Sequence, residues 1–274
     1  MFDTHCHLNF KRFKKNLDQV IARAVEVGVK NIVIPGTDVT SSKKAIEIVE
    51  KHEGFYAAVG IHPHHAFKLI TNDELSITNE ITEIETLLTH PKVVSIGEVG
   101  MDRHEYQETK YQEYAVDDRF IDMQMDLLKL QIRLAVTHKK SLILHNREAK
   151  QDLLPVLEEN WDSQLEGRAV FHCCEPDLEL LGFAKKHKIF IGVDGDITYD
   201  KAKQDFIKQV PLGMLVVETD SPFILPEPLL SEKKYPNEPA NIQFIVREVA
   251  SLKGETVERI IEVTTENGKR LFGT

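Results

Sequence analysis

Short runs of β-branched and apolar residues recur along the chain and predict eight buried strands. These runs are Met1–Thr4, Asn31–Pro35, Phe55–Gly60, Val93–Gly97, Ser141–His145, Ala169–His172, Ile189–Val193 and Met214–Glu218. Between them, apolar residues recur at the i, i+3, i+4, i+7 spacing of a helix, first at Leu17, Val20, Ile21 and Ala24. Strands that alternate with helices are typical of parallel βα units. The pattern therefore predicts an α/β fold, a TIM (β/α)8-type barrel.

The end of the chain predicts two more helices, about Asn241–Leu252 and Glu255–Phe272, which we expect to close the barrel and to cap it. The sequence contains no evident domain boundary, internal repeat or low-complexity tract, so residues 1–274 are expected to form one barrel domain. Two long loops, Met101–Arg119 and Ser221–Ala240, follow the fourth and eighth strands. Both should emerge at the C-terminal face, where barrel enzymes build their sites.

Six candidate metal ligands follow or end the predicted strands: His5, His7, Glu98, His145, His172 and Asp220. A barrel of parallel strands gathers the C-terminal ends of its strands into one ring, so these side chains are expected to converge. Imidazole and carboxylate groups bind divalent metals, and two such ions can perform hydrolytic chemistry. The sequence therefore predicts a two-metal hydrolase site.

Each of these side chains also has a purely structural interpretation. The two histidines of the first strand face one side and can bind one ion, but a His-x-His pair also occurs by chance on surfaces. The glutamate, between two glycines, could be a solvated turn residue, and the aspartate could be a helix N-cap. Each of the other two histidines, taken alone, could be a hydrogen-bonded core residue.

Composition narrows the class of protein. The chain has 274 residues, 42% of them hydrophobic, and no apolar run long enough to span a bilayer. It begins directly with a strand and has only three cysteines, of which two are adjacent, so we expect a reduced, cytoplasmic protein without a signal peptide. The net charge of −10 disfavours general binding of nucleic acid. Two divalent ions would add +4 against −2 from Glu98 and Asp220, making the site itself positive.

Several motifs resemble those of the TatD-like deoxyribonucleases, which are metal-dependent hydrolases of the amidohydrolase type. The matching segments are Asp3–His7, Gly60–Pro63, Ile96–Asp102, Leu144–Ala149, Glu218–Pro222, Asn237–Pro239, Thr265–Asn267 and Leu271–Phe272, together with Gln124 and Gln131. They occur in order over the whole chain, which makes the resemblance more specific than any single motif.

The resemblance implies a metal-dependent enzyme that cleaves phosphodiester bonds of DNA, expected to act as a 3′ to 5′ exonuclease on single-stranded 3′ ends. It assigns one divalent metal ion to His5, His7, Glu98 and Asp220, and a second to Glu98, His145 and His172. Asp220 would also be the general base, so Asp220 and Glu98 are the expected catalytic residues. The resemblance favours Mg or Mn in function, while Zn or Ni also suit such ligands. No membrane association and no obligate protein partner are expected.

Two residues are expected to bind substrate. His62 matches a family motif, and Arg147 could clamp a phosphate with its planar fork, unless it forms a salt bridge with Glu148 or Asp152. His64 and His65 are expected to be ordinary loop residues. Outside these, Lys233 and Lys234 could track a nucleic-acid backbone, but such loop charges are usually only solvated. Cys6 should point away from the ligands, and Gln124 with Gln131 should satisfy buried backbone groups.

The chain departs from the family pattern in two loops. It reads His172-Cys173-Cys174-Glu175-Pro176 where the family has His-Cys-Phe-Ser-Gly, and an extra acid there would repel phosphate. The segment 103–119 also differs. A second interpretation is therefore a two-metal hydrolase of a small ester, amide or phosphoester, since the barrel supports many reactions through its loops. A third, a non-catalytic barrel that serves as an interaction platform, is disfavoured because a scaffold needs no cluster of buried charge.

Overall fold

The predicted strands form one parallel sheet in a computed structural model that describes residues 1–70, 74–109 and 111–274, with only the backbone of 74–76. Within that part the sheet has eight strands, each hydrogen-bonded to the next in chain order. They are β1 Phe2–Asp3, β2 Asn31–Pro35, β3 Phe55–Val59, β4 Val93–Asp102, β5 Ser141–Arg147, β6 Ala169–Phe171, β7 Phe190–Val193 and β8 Leu215–Val217. The first and last strands also meet, since the Thr4 N–H donates to the Val217 carbonyl at 3.1 Å. The predicted TIM barrel is thus confirmed.

Helices surround this barrel and cover the outward faces of its strands. They are α1 Leu17–Glu26, α2 Val39–Val49, α3 Phe67–Ile70, α4 Glu74–Leu87, α5 Asp118–Thr137, α6 Lys150–Asn160, α7 Leu178–His187, α8 Lys201–Gln209, α9 Ile242–Lys253 and α10 Val257–Phe272. The predicted helix over Leu17–Ala24 is confirmed as α1, and Gly28 follows it in the left-handed region with φ +88°. None of the helices in the described ranges is both long enough and apolar enough to cross a membrane.

A small apolar cluster fills the barrel interior and is closed from below by the last helix. Phe2 of β1 packs against Phe272 of α10 with ring centroids 5.8 Å apart. The cluster comprises Phe2, Val33, Ala58, Ile143, Val170, Phe190, Val216, Leu271 and Phe272. Alternate residues of the same strands, such as Ile32 and Ile34, face the helices instead. The inner apolar layer fills the bottom of the barrel, which leaves its upper end for polar side chains, and α10 is the predicted cap.

Two strands run further than the apolar pattern indicated. β4 was expected to end at Gly97 but continues to Asp102, because residues 99–102 pair with residues 144–147 of β5. Arg147 therefore ends a strand, and Asp102, which was expected in a polar loop, is fully buried. The loop that follows spans 103–117 rather than 101–119, and its residue 110 lies outside the described residues.

The two glutamines of α5 bind backbone, as predicted. Gln131 Oε1 accepts the Ile61 N–H at 2.7 Å while its Nε2 donates to the Ile61 carbonyl at 3.1 Å. Gln124 makes the same pair of bonds with Asp102, at 2.7 and 2.9 Å. Each side chain therefore anchors the backbone where β3 or β4 ends, and holds the upper rim of the barrel in place.

Candidate metal centre

Four side chains converge at the upper end of the barrel, around one point. His5 Nε2 lies 3.2 Å from His7 Nε2, 3.4 Å from Glu98 Oε2 and 3.7 Å from Asp220 Oδ1. His7 Nε2 lies 3.6 Å from the same glutamate oxygen and 3.5 Å from the same aspartate oxygen. A neutral imidazole carries a single N–H, which cannot donate to all of the surrounding nitrogen and oxygen lone pairs at once. The four side chains are therefore arranged to surround a cation.

The spacing of these four atoms matches the edges of a metal coordination shell. Four ligands at about 2.0–2.1 Å from a tetrahedral ion lie about 3.3–3.4 Å apart. The observed separations of 3.2–3.7 Å bracket that value. The residues present therefore fit a divalent ion.

Backbone and side-chain bonds between the ends of β1 and β8 create this convergence. The Asp220 N–H donates to the His5 carbonyl at 2.9 Å, and the His7 N–H donates to the Ser221 carbonyl at 2.8 Å. Buried Asp3 accepts the Thr219 N–H at 3.0 Å and the Thr219 hydroxyl at 2.7 Å. These contacts fix the two histidines against Asp220, although 213 or more residues separate them along the chain.

Glu98 joins this first group to a second one because its two oxygens face opposite ways. Oε2 faces His5 and His7, whereas Oε1 lies 2.6 Å from His145 Nδ1 and 3.5 Å from His172 Nε2. The strand register shifts between Ile96 and Val99, which turns the intervening Glu98 into the barrel. The structure thus brings together all six residues that the sequence singled out, in two sets that share one carboxylate.

Interactions with nearby carboxylates determine the pKa values of the two histidines of the second set, His145 and His172. Burial would lower the pKa of His145, but Glu98 and Asp102 outweigh it and raise that pKa to about 9. Burial is likewise outweighed at His172, where Glu218 and Glu98 raise the pKa to about 10. A metal ion bound here would take the place of protons on these rings, so its binding would release protons.

Two other histidines that face Glu98, namely His5 and His62, behave differently. Burial lowers the pKa of His5 and of His62, which leaves both rings neutral, the form in which imidazole binds metal. The pKa of Glu98 is held well below its usual range, since the surrounding imidazoles outweigh the effect of burial. The carboxylate is therefore ionised at any pH near neutrality.

Two further carboxylates orient the histidines, and neither role was predicted from the sequence. Glu218 Oε1 lies 3.0 Å from His172 Nδ1 and also accepts the Cys173 N–H at 2.6 Å. Asp102 Oδ2 lies 3.4 Å from His145 Nε2. Each acid lay inside a quoted motif, at a strand end, and that position was the available signal. The negative charge at the site is therefore larger than the −2 that was expected from Glu98 and Asp220.

The two expected substrate-binding residues both line the cavity above these groups. His62 Nε2 lies 3.4 Å from Glu98 Oε1, so His62 borders the second set directly. Arg147 makes neither expected salt bridge: Asp152 binds Arg103 at 2.6 Å instead. The side chain of Arg147 lies over the ring of Tyr106, 5.3 Å from its centroid, with its Nη1 3.3 Å from the Tyr106 hydroxyl.

The structure also places the other residues that the sequence analysis discussed. His64 and His65 line the same cavity, and the rings of His64 and Tyr106 have centroids 4.7 Å apart, while the expectation that both histidines are ordinary loop residues stays a prediction. Lys234 pairs with Glu232 at 2.6 Å on the exposed loop after β8, and its contact with a nucleic-acid backbone stays a prediction. Cys6 lies in the outer apolar core, away from the ligands, as predicted.

The altered loop after β6 forms a wall of this cavity. Glu175, expected to repel phosphate, accepts hydrogen bonds from the Asn146 side chain and from the Glu148 N–H, the latter at 2.9 Å. Behind it lies a buried cluster that the sequence did not reveal. Lys203 is 2% exposed, and its ammonium lies 3.1 Å from Asp196 and 3.9 Å from Asp194.

The cavity itself measures about 680 Å³ and opens at the C-terminal face of the barrel. Its floor consists of the two sets of candidate ligands, and its walls come from the loops after β1, β2, β3, β4, β6, β7 and β8. Five carboxylates line it, together with the cations Arg147 and Lys203: Glu98, Glu175, Asp196, Asp200 and Asp220. Such a cavity suits a polar substrate whose scissile bond reaches the floor.

The chain is similar to known proteins along its whole length. The family described as TatD related DNase matches residues 2–273. The "uncharacterized metal-dependent hydrolase YabD" of Bacillus subtilis (strain 168) is 33% identical over 274 residues, covering 99% of this chain and 98% of the relative. The "3′-5′ ssDNA/RNA exonuclease TatD" of Escherichia coli (strain K12) is 29% identical over 278 residues, covering 100% and 99%. The crystal structure of YjjV, a TatD homologue from Escherichia coli K12, is similar with a TM-score of 0.85 and 26% identity, covering 100% of this chain and 98% of that one.

Proposed function

The chain belongs to the family of TatD-related DNases and is a metal-dependent hydrolase, and we propose that it removes nucleotides from the 3′ end of single-stranded DNA. The observation that carries this proposal is the shared carboxylate of Glu98. Its two oxygens face two separate sets of ligand atoms at the floor of a cavity of about 680 Å³. A relative named as an exonuclease supports the choice of substrate.

Two divalent ions are the cofactor in this proposal. His5, His7, Glu98 and Asp220 would hold one, and Glu98, His145 and His172 would hold the other. When bound, such ions supply Lewis-acid chemistry that activates water and polarises the phosphoryl group. Mg or Mn suits the proposed reaction, and Zn or Ni suits the same imidazole and carboxylate ligands.

The residues around the floor supply proton transfer and positioning. Asp220 Oδ1 faces His5 and His7 at 3.7 and 3.5 Å, and its side chain also borders the open cavity. It is therefore placed to accept the proton of the attacking water. Arg147, on the opposite wall, would bind the phosphate oxygens and stabilise the added negative charge of the transition state. His62, beside Glu98, would donate a hydrogen bond to the substrate.

A second candidate is a hydrolase of a small ester, amide or phosphoester. The observation that favours it is the number of acids in the cavity wall, because Glu175 and Asp200 add negative charge that a polyanion must overcome. Two divalent ions and two basic side chains would offset that charge, which leaves DNA as the better-supported substrate.

The deciding experiment uses one single-stranded oligonucleotide labelled in two ways. With Mg or Mn, a 5′-labelled strand should give a ladder of stepwise shorter products, while the same strand labelled at the 3′ end should release a labelled mononucleotide at once. Glu98→Ala, which removes the carboxylate common to both sets, should give neither product. If the DNA stays intact while the protein cleaves a small activated ester in a metal-dependent way, the second candidate is established instead.

A further inference from the structure

A second groove continues outward from the metal cavity. It measures about 630 Å³ and shares four lining residues with the cavity, namely Phe10, Thr37, His65 and Phe223. From these it runs between the loop after β1, the start of α2 and the loop after β8. A strand whose end reaches the metals would therefore leave the cavity along this groove.

Aromatic rings follow one another from the metal centre into the groove. The ring of His7 stacks on Phe10 at 4.4 Å, and Phe10 meets Phe223 edge to face at 6.0 Å. Beyond them, Tyr235 also lines the groove. Phe223 is 49% exposed and Tyr235 55%, so two large aromatic side chains are left open to solvent on the same loop. Exposed apolar rings next to an active site are typical of a binding surface.

The same groove carries positive charge although the chain as a whole has a net charge of −10. Lys11, Arg12 and Lys44 line it, and in the part of the chain that the structure describes none of the three forms an ion pair. Neighbouring Lys43, in contrast, pairs with Glu83 at 2.6 Å. Asp38, the one acid among the described residues that line the groove, caps α2 by accepting the Ser41 N–H.

We propose that this groove binds the nucleotides that precede the 3′-terminal one in a single-stranded substrate, with bases stacked on Phe223 and Tyr235 and phosphates beside Lys11, Arg12 and Lys44. This inference rests on the proposed function. Open aromatic faces beside unpaired cations are the combination that binds single strands without sequence preference. An apolar small molecule would use the rings but has no need of the three cations.

Binding to metal-loaded protein gives the first test. The probe is a 5′-fluorescein-labelled single-stranded 12-mer with a hydrolysis-resistant 3′-terminal phosphorothioate linkage, followed by anisotropy at several salt concentrations. Replacing Lys11, Arg12 and Lys44 together by glutamine should reduce the slope of log K against log salt by about 2, at about 0.7 per phosphate contact. Lys30→Gln with Lys139→Gln, which precede β2 and β5 at the opposite end of the barrel, should keep the wild-type slope.

Base stacking gives the second test. With 2-aminopurine as the second nucleotide from the 3′ end, wild-type protein should quench its fluorescence. Tyr235→Ala and Phe223→Ala should lose the quenching and weaken binding by about 5- to 150-fold, whereas Tyr235→Phe should keep both. If the variants keep the wild-type salt slope and the wild-type quenching, and the wild-type protein shortens DNA, this proposal alone would be overturned. Wild-type protein that neither binds nor shortens DNA would overturn the proposed function as well.

Discussion

Glu218 Oε1 lies 3.0 Å from His172 Nδ1, and this contact leaves the other ring nitrogen of His172 facing Glu98. A carboxylate behind a ligand histidine fixes the orientation of the ring and raises its basicity. Glu218→Gln preserves the shape of the side chain but removes its charge. We expect this variant to lose about 10- to 100-fold in metal affinity or activity, measured by competition with a chelator and by turnover.

The matched control for this change is Glu238→Gln. Glu238 pairs with Arg23 of α1 at 2.6 Å on the outside of the barrel and does not line the cavity. Its substitution should leave metal affinity as it is. If Glu218→Gln binds metal as tightly as the wild type, Glu218 serves to bind the Cys173 N–H and the Thr4 hydroxyl rather than to hold His172 for a metal ion.

Asp220→Asn tests the proposed general base. Asparagine keeps one oxygen that can face His5 and His7, but it cannot accept a proton from water. We expect the purified variant to retain at least one metal ion per chain while kcat falls at least about 100-fold, in line with the usual contribution of general-base catalysis. Metal content by elemental analysis and turnover on the same preparation check both halves. Cleavage at the wild-type rate would remove Asp220 from this role.

Arg147→Lys tests recognition of the phosphate. Lysine keeps the positive charge but loses the planar fork that binds two phosphate oxygens at once, and it cannot stack as well on Tyr106. We expect kcat/KM on single-stranded DNA to fall by about 10- to 100-fold, which corresponds to the loss of one charge-assisted contact in the transition state. Arg103→Lys is the control, because Arg103 binds Asp152 and does not line the cavity. Equal losses in both variants would show that the effect is not specific to the phosphate.

The position of the six candidate ligands at the barrel rim was predictable because the sequence signal for it is local. An apolar run places a residue at a strand end, and the parallel topology then brings that end to the rim, so His145 and His172 could be placed from their own neighbours. The eight strands were found for the same reason, since alternation and length are properties of short segments. Predicting that Gln131 binds buried backbone also needed only a polar side chain on an apolar helix face, whereas its partner Ile61 was not predicted.

The remaining features depend on contacts between distant segments. β4 runs on to Asp102 because of its pairing with β5, and nothing in residues 98–102 alone indicates this extension. Likewise, Arg147 stacks on Tyr106 because the loop after β4 folds back over the rim. The pattern of apolar and polar residues does not predict the course of that loop. The cluster around Lys203 joins α8 and the loop before it to the carbonyl of Cys174 after β6, and the sequence did not indicate that Lys203 is buried there.

That cluster gives a prediction about stability and pH. Burial and the neighbouring charge of Asp194 raise the pKa of Asp196 to about 8, while Lys203 partly offsets this. In the unfolded chain the same carboxyl group has a pKa near its usual value of about 3.9. Between these two values the folded protein holds a proton that the unfolded chain has released. This contribution to stability is therefore complete below about pH 4 and is lost as the pH rises toward 8.

The measurable consequence is a slope that one substitution should flatten. The free energy of unfolding should fall by up to about 1.4 kcal/mol per pH unit from this group between pH 5 and 8, and Asp196→Asn should remove that part. Lys203, Asp194, Cys173 and Tyr199 are the other titratable groups that face Asp196, and all of them remain in the variant. Asp205→Asn on α8, where ion pairs lower the pKa of an exposed carboxyl, should leave the slope over this range unchanged. Urea unfolding at fixed free metal concentration would measure the free energy of unfolding of both variants against pH. If the profiles of Asp196→Asn and the wild type run parallel, Asp196 is ionised over the whole range because Lys203 neutralises it.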